Sequence, residues 1–391
     1  MSDVNYLIGA EPISNQPLKP YSDDACAFAA ALSDALMRDA EAKRYPDIRT
    51  LAFWCRKANL AVRKKKWEER AKKRLGRGLV FHVAPSNVPI NFAFTYLFSL
   101  LAGNANIVRV PSKEFPQITI VCRIMKEVLE QYPEIKKRTA FVRYAASNEI
   151  TEQFSMLADA RVIWGGDTTV TTIRSCAAKP RCIDVVFADR YSICVLDGKA
   201  VEETEDAKLR KLAEAFYNDT YLMDQNACSS PQMIFWKNAT EHSKEVFWNA
   251  VYEYAKSKYK LQGASCVDKY LQMCKDAVDI EELKKGDHIG NLVYHMELKK
   301  LPQNITALRG TCGYFYECML ESFEELLPVL TEKFQTVTYY GIDPVELQEF
   351  LIEHQARGVD RIVPMGKSLD IDVIWDGYDV VGMLSRIVAL A

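Results

Sequence analysis

Cys228 stands in the run YLMDQNACSSPQMIFW, residues 221–236. Its neighbours Asn226, Ala227, Ser229 and Ser230 are small or polar, so its sulfur is expected to be accessible in a turn ahead of the strand Met233–Trp236. A cysteine nucleophile needs that access together with thiolate character, and its own backbone N–H can then face the reacting carbonyl. The ordinary role of cysteine is a small buried residue. Most of the other ten fit that role, Cys122 and Cys194 among them, because they stand in apolar or helical surroundings. Asn87, in HVAPSNVP, is the second candidate: at the carboxyl end of a buried strand its side-chain amide can donate to a developing oxyanion. As a helix cap or turn residue it would do no chemistry. The third is Gly165-Gly166-Asp167-Thr168, between the strand Arg161–Trp164 and a helix from Thr169 to Ala177. Paired glycines allow close backbone approach, and a helix start offers free N–H groups to a phosphate or a ring. A charged Asp167 suits a phosphate poorly and a helix cap well.

These residues need elements to hold them. From Leu79 to Val108 the chain carries no Lys, Arg, Asp or Glu. Leu79–Val83 reads as a buried strand, and Pro85 and Pro89 keep Ala84–Pro89 a loop. Phe92, Phe94, Tyr96, Leu97, Leu100 and Leu101 give a helix from Ile90 buried on most sides, stopped by Gly103 and Asn104. Asn106–Val110 is the next strand. Strand, helix and strand in this order is a βαβ unit, so a parallel sheet is expected. The apolar stretch after Pro89 is about 13 residues, short of the roughly 20 that a bilayer span needs. Further on, a helix is expected at Phe115–Tyr132, a strand at Ala140–Val142 and a helix at Glu149–Ala158. Asp184–Leu196 reads as two short strands around Ala188-Asp189-Arg190.

Before this core, Asp23 or Asp24 can cap a helix through Met37, and a second helix spans Ile48–Leu75. Its basic part, RKKKWEERAKKRLGR, reads as a solvated face or as a phosphate site. After Cys228 the periodicity gives a helix Glu241–Tyr259, a strand Tyr314–Cys318 and a helix Ser322–Leu330. A strand Val337–Tyr340, a helix Pro344–His354 and a strand Arg361–Pro364 follow. The whole chain has 391 residues, half hydrophobic and a quarter charged, with net charge −2. That composition fits a soluble two-domain α/β enzyme and carries no nucleic-acid footprint. Eleven cysteines without a CxxC pair indicate neither a disulfide framework nor a zinc site. With no signal peptide visible, a reducing, cytoplasmic setting is expected.

The stretch HVAPSNVPINFAFTYLFSLLAGNANIVRVPS resembles the signature of the LuxC-type acyl-CoA reductases, divergent members of the aldehyde dehydrogenase superfamily. Blocks through to the C-terminal VPMGKSLDIDVIWDGYDVVGMLSRIVAL agree in order, and Gln225-Asn226-Ala227-Cys228 is similar to the superfamily's Gly-Gln-x-Cys nucleophile motif. The resemblance implies an aldehyde-dehydrogenase architecture. A Rossmann-type NAD(P)-binding domain with an N-terminal helical segment spans 1–198, and a catalytic domain carrying the nucleophile spans 199–364. Residues 365–391 return to the cofactor domain or a subunit interface. The active site is expected between the domains. The resemblance assigns Cys228 as nucleophile and Asn87 as oxyanion donor, with Gly165, Gly166, Asp167 and Thr168 at the superfamily's dinucleotide turn. Arg109 and Ser112 stand where a Lys-Pro-Ser element meets the adenosine ribose. An Arg there favours a 2′-phosphate, hence NADPH over NADH; pairing with a nearby carboxylate is the other reading of Arg109.

Two superfamily glutamates are not evident. The water-activating one falls near Val186 and Phe187, and neither Asp184 nor Asp189 stands at its place. The one that grips the nicotinamide ribose is not visible near Arg309-Gly310-Thr311. Without a hydrolytic base the implied activity is reduction of an acyl thioester, acyl-CoA or acyl-protein, to an aldehyde. An acyl-transferring protein partner and a homo-oligomer are the implied associations, with no membrane span. A small- or aryl-acyl reductase and an inactive structural subunit are the alternatives.

Overall fold

The structure, a computed structural model, describes residues 4–11, 13–86 and 88–390. Asn87 therefore lies outside the described residues. The chain forms two compact units, Met1–Ala188 with Tyr378–Ala391, and Asp189–Gly377.

The first unit opens with β1 (Asn5–Ile8), α1 (Asp23–Arg38), α2 (Pro46–Trp54), α3 (Lys57–Ala71) and β2 (Arg74–Gly76). The single helix expected over Ile48–Leu75 is thus two helices and a strand. The break at Cys55-Arg56 follows from Arg56, whose backbone is extended (ψ 140°). β2 owes its extended form to pairing with Ser385–Ile387, more than 300 positions away, which no local pattern announces. Ser22, not Asp23 or Asp24, holds the N-cap position of α1, and the two aspartates occupy its first turn. The basic stretch is tied down: Lys64 pairs with Asp23, Arg70 with Asp379, and Arg77 donates to the carbonyl of Met383 at 2.6 Å.

The βαβ run follows as expected: β3 (Leu79–Val83), α4 (Asn91–Leu101), β4 (Ala105–Arg109), α5 (Pro116–Leu129), α6 (Pro133–Lys136), β5 (Thr139–Arg143), α7 (Asn148–Leu157), β6 (Ala160–Trp164), α8 (Asp167–Ser175) and β7 (Ile183–Phe187). The sheet order is β1-β5-β4-β3-β6-β7, with β1 antiparallel and the rest parallel. All eleven residues of α4 are buried, which explains a helix with no polar face. Burial of each large apolar side chain there stabilises by about 1.5–3 kcal/mol. Of the polar side chains of α4, Thr95 is hydrogen-bonded, while Asn91 Oδ1 and Ser99 Oγ are buried with no hydrogen-bond partner among the described residues. Buried His82 faces Thr95 at 2.9 Å and Asn106 at 3.0 Å, and burial pushes its pKa down to about 4, so the ring is neutral.

The second unit contains β8 (Tyr191–Asp197), α9 (Gly198–Glu202), α10 (Asp206–Thr220), β9 (Pro231–Lys237), α11 (Glu241–Lys258), α12 (Gly263–Asp279), β10 (Leu283–Ile289), β11 (Val293–Leu298), β12 (Tyr314–Met319), β13 (Phe334–Tyr340), α13 (Pro344–Glu353) and β14 (Arg361–Pro364). Its sheet runs β10-β11-β12-β9-β8-β13-β14, parallel except for β10. Two boundaries differ from expectation. β8, assigned by sequence to the first domain, sits between β9 and β13 in the second sheet. Residues 365–377 stay with the second unit, and only 378–391 return to the first. The helix expected at Ser322–Leu330 is a short 3₁₀ turn, Phe323–Leu326, because Pro328 lacks the N–H a longer helix would use. Trp236 and Trp248 are core, both indoles donating to buried Glu317.

Candidate active site

The turn that carries Cys228 is built against backbone preference. Asp224 and Gln225 both adopt left-handed conformations (φ 50° and 60°) just before it. Each costs on the order of 1–3 kcal/mol for a non-glycine residue and persists only where surroundings over-determine it. Here they do. The buried Gln225 side chain accepts from the N–H groups of Gly313 (2.8 Å) and Tyr314 (3.0 Å) and donates to the Tyr314 carbonyl (2.9 Å). Its own carbonyl accepts from Gln232, whose oxygen accepts from Gly310 N–H at 2.9 Å. Two glutamines therefore staple the turn to the loop 310–314. The Cys228 carbonyl accepts from Ser192 Oγ of β8 at 2.7 Å, which in turn accepts from the Thr336 N–H of β13.

Cys228 is half-buried as a residue, and its thiol lies deep in the site. It accepts from Nε2 of buried Gln335 at 3.4 Å, and the same nitrogen donates to the Asp376 carboxylate. An amide nitrogen has two hydrogens, so one can serve each acceptor. Asp376 is placed by an Asp-Gly turn in which both residues have positive φ (49° and 72°). Burial and then the Asp376 charge push the Cys228 thiol up to about 11, while Gln335 and Arg190 act the other way. Burial likewise raises Asp376 to about 6 against the pull of Arg190, itself paired with Asp360. These surroundings oppose the thiolate character that a nucleophile needs. The site can therefore hold a protonated thiol at neutral pH and stabilise its anion through one amide donor. Asp376→Asn removes the opposing charge and leaves an oxygen for Gln335 to donate to. The pH profile of Cys228 alkylation by iodoacetamide, read by peptide mass spectrometry, should move to lower pH, with severalfold faster labelling at pH 8. An unmoved profile would show that Asp376 does not govern the thiol.

Gln335, Asp376, Ser192 and Gln232 were not visible as site residues in the sequence. Only Asp376-Gly377 carries a local signal, the turn dipeptide itself.

The other candidates belong to the first unit. The loop after β3, Arg109 at the end of β4, and Gly165 after β6 share the carboxyl edge of three neighbouring parallel strands. That edge is where open α/β sheets bind ligands. Ser112 is exposed in the turn after β4. Gly166, not Asp167, holds the N-cap position of α8, and Asp167 and Thr168 lie exposed in its first turn. Asp167 thus stands where a negative charge complements the helix dipole. A Cβ on Gly166 would project into open space, so its backbone can be approached closely. The Arg109 guanidinium lies 4.5 Å from the Tyr144 ring centroid and has no carboxylate partner among the described residues. Both aspartates near the missing base are engaged: Asp184 with Arg161 at 2.7 Å, Asp189 with Arg309 at 2.8 Å. No described helix is long and apolar enough to cross a membrane.

Among solved structures the chain resembles 1-pyrroline-5-carboxylate dehydrogenase of Thermus thermophilus (TM-score 0.65, 13% identity, 94% of this chain and 81% of that one). It is also similar to lactaldehyde dehydrogenase of Escherichia coli (TM-score 0.57, 11% identity, 88% and 79%). The fold is that of aldehyde dehydrogenases. By sequence it is 23% identical over 327 residues to a long-chain acyl-protein thioester reductase of Vibrio harveyi, covering 80% of this chain and 63% of that protein. It is 27% identical over 168 residues to long-chain acyl-protein thioester reductase 2 of Photobacterium leiognathi, covering 42% and 33%. The match thus spans less than two thirds of either relative's length. The model of the acyl-CoA reductase (LuxC) family matches residues 58–262, just over half of the chain, and the chain belongs to that family.

Proposed function

We propose that this chain reduces an acyl thioester to an aldehyde through an acyl group carried on Cys228. The observation that carries the reading is the Cys228 turn, held in left-handed backbone by two buried glutamines and given one amide donor at its sulfur. Cys228 gives its proton to solvent and its sulfur attacks the thioester carbonyl. The Asn87 amide and the Cys228 backbone N–H donate to the oxyanion. The tetrahedral adduct collapses, the C–S bond to the leaving thiol breaks, and that thiol takes up a proton. A long-chain acyl group on coenzyme A or on a carrier protein is the substrate class, in line with the names of the relatives; a protein that hands over acyl groups is the partner to look for.

A nicotinamide dinucleotide fits the first unit. The open approach to Gly166 at the start of α8 suits its phosphates, and Arg109, stacked on Tyr144 with no acidic partner among the described residues, can meet a ribose 2′-phosphate. When bound, the nicotinamide supplies the hydride that takes the acyl group to the aldehyde level. Release of the aldehyde returns the Cys228 sulfur as thiolate, and the raised thiol pKa drives its reprotonation. With Asp184 and Asp189 both ion-paired, neither is free to activate water against the acyl group.

Turnover decides this reading. Purified protein given acyl-CoAs of increasing chain length with NADPH or NADH should release aldehyde, with NADPH preferred. Absence of aldehyde at every chain length with both cofactors refutes the activity. Arg109→Ala should erode the NADPH preference, raising KM for NADPH about tenfold with little change for NADH. Equal use of both cofactors before and after the change would remove the basis for Arg109 as the 2′-phosphate contact.

A further inference from the structure

Helix α12 is amphipathic the wrong way round. Val267, Tyr270, Leu271 and Val278 are 58%, 58%, 50% and 83% exposed, and Cys274 between them is exposed too. At these spacings they form one continuous stripe along the helix. The polar side is what the fold buries. Lys269 Nζ donates to the carbonyls of Asn291 (2.5 Å) and Cys312 (2.7 Å). Asp276 accepts from the hydroxyls of Tyr314 (2.6 Å) and Tyr316 (2.7 Å) and from Gln272. These bonds fix the roll of the helix, so the stripe cannot turn inward, and an apolar stripe of this extent marks a contact surface.

We propose that the stripe is covered by the same stripe of a second copy, the two α12 helices packing antiparallel about a two-fold axis near Leu271 and Gln272. The charges choose the occupant. At 3.6 residues per turn, Asp268 and Lys275 lie on the same flank of the stripe, about 80–100° from its centre. Both are exposed, and neither forms an ion pair among the described residues. The opposite flank, Cys266, Tyr270 and Ala277, carries no charge. In an antiparallel pair each flank meets its own counterpart, so Asp268 of one copy faces Lys275 of the other, and the axis makes the pair twice. Asp279, on the same flank, then lies beside the N-terminal turn of the opposing α12, where a negative charge is favoured. A parallel pair would set the charged flank against the uncharged one and satisfy none of this.

The test is the association state of the full chain by sedimentation equilibrium and light scattering. The wild type should dimerise with micromolar or tighter affinity, and Val267→Asp with Leu271→Asp should abolish that association while circular dichroism stays native. Asp268→Lys alone should weaken the dimer about tenfold by opposing like charges, and Asp268→Lys with Lys275→Asp should restore it. The restoration is specific to self-pairing and survives any doubt about folding of the double aspartate variant. A wild type that remains monomeric at ~100 µM, well above the dissociation constant of an ordinary specific dimer, overturns the proposal, even if it binds vesicles or another protein. So does an assembly that the stripe variants leave unchanged, or a charge swap that fails to restore what Asp268→Lys weakened.

Discussion

Incubated with an acyl-CoA and no reduced nicotinamide, the protein should gain the mass of one acyl group, and peptide mapping should place it on Cys228. Attack on the thioester requires no hydride, so the first half of the reaction proceeds alone. The adduct should last long enough to weigh, because Asp184 and Asp189, the carboxylates that flank Val186 and Phe187 in sequence, are held in ion pairs with Arg161 and Arg309. Adding NADPH should then discharge the acyl group as aldehyde. Cys228→Ala should abolish both adduct and turnover. Cys228→Ser should leave at most slow esterification, since a hydroxyl at its free pKa is a far weaker nucleophile than a thiolate. Because the thiol is pushed up to about 11, the rate of acylation should climb with pH through the neutral and alkaline range. An adduct on another cysteine, or full activity in Cys228→Ala, would overturn the assignment.

The second large effect is expected at Asn87. Replacing it by Ala should lower kcat by about 10²–10³-fold, the usual loss when one oxyanion donor is removed. Thermal stability should change little, and acylation and discharge should both slow, because each passes through an oxyanion on the same carbonyl carbon. A kcat within a factor of two of the wild type would make Asn87 a turn residue only.

How far the chain could be read in advance varied from element to element. The run Leu79–Arg109 was legible because its information is local: two uninterrupted apolar strands, two prolines, and a helix without charge, ended by Gly103. The Cys228 turn was legible for the same reason, being a short polar break between helix and strand. The residues around β2 favour helix, and only Ser385–Ile387 converts it to a strand. The unit that β8 belongs to is not legible locally, because a strand's sequence does not name its neighbours; pairing with β9 and β13 places it in the second sheet.

The sequence by itself determined the family, the parallel βαβ core, the turn with its cysteine, and the glycine pair at the start of α8. All of these rest on periodicity or on residues a few positions apart. The tertiary structure decided the thiol's surroundings, since Gln335 lies 107 positions from Cys228 and Asp376 another 41 beyond Gln335. It also decided which face of α12 is buried. Hydrophobicity alone would turn Val267, Leu271 and Val278 inward, but Lys269 and Asp276 find fixed acceptors and donors in the loops and strand beneath them, and a buried charge cannot give up such partners without a cost that exposed apolar side chains do not incur.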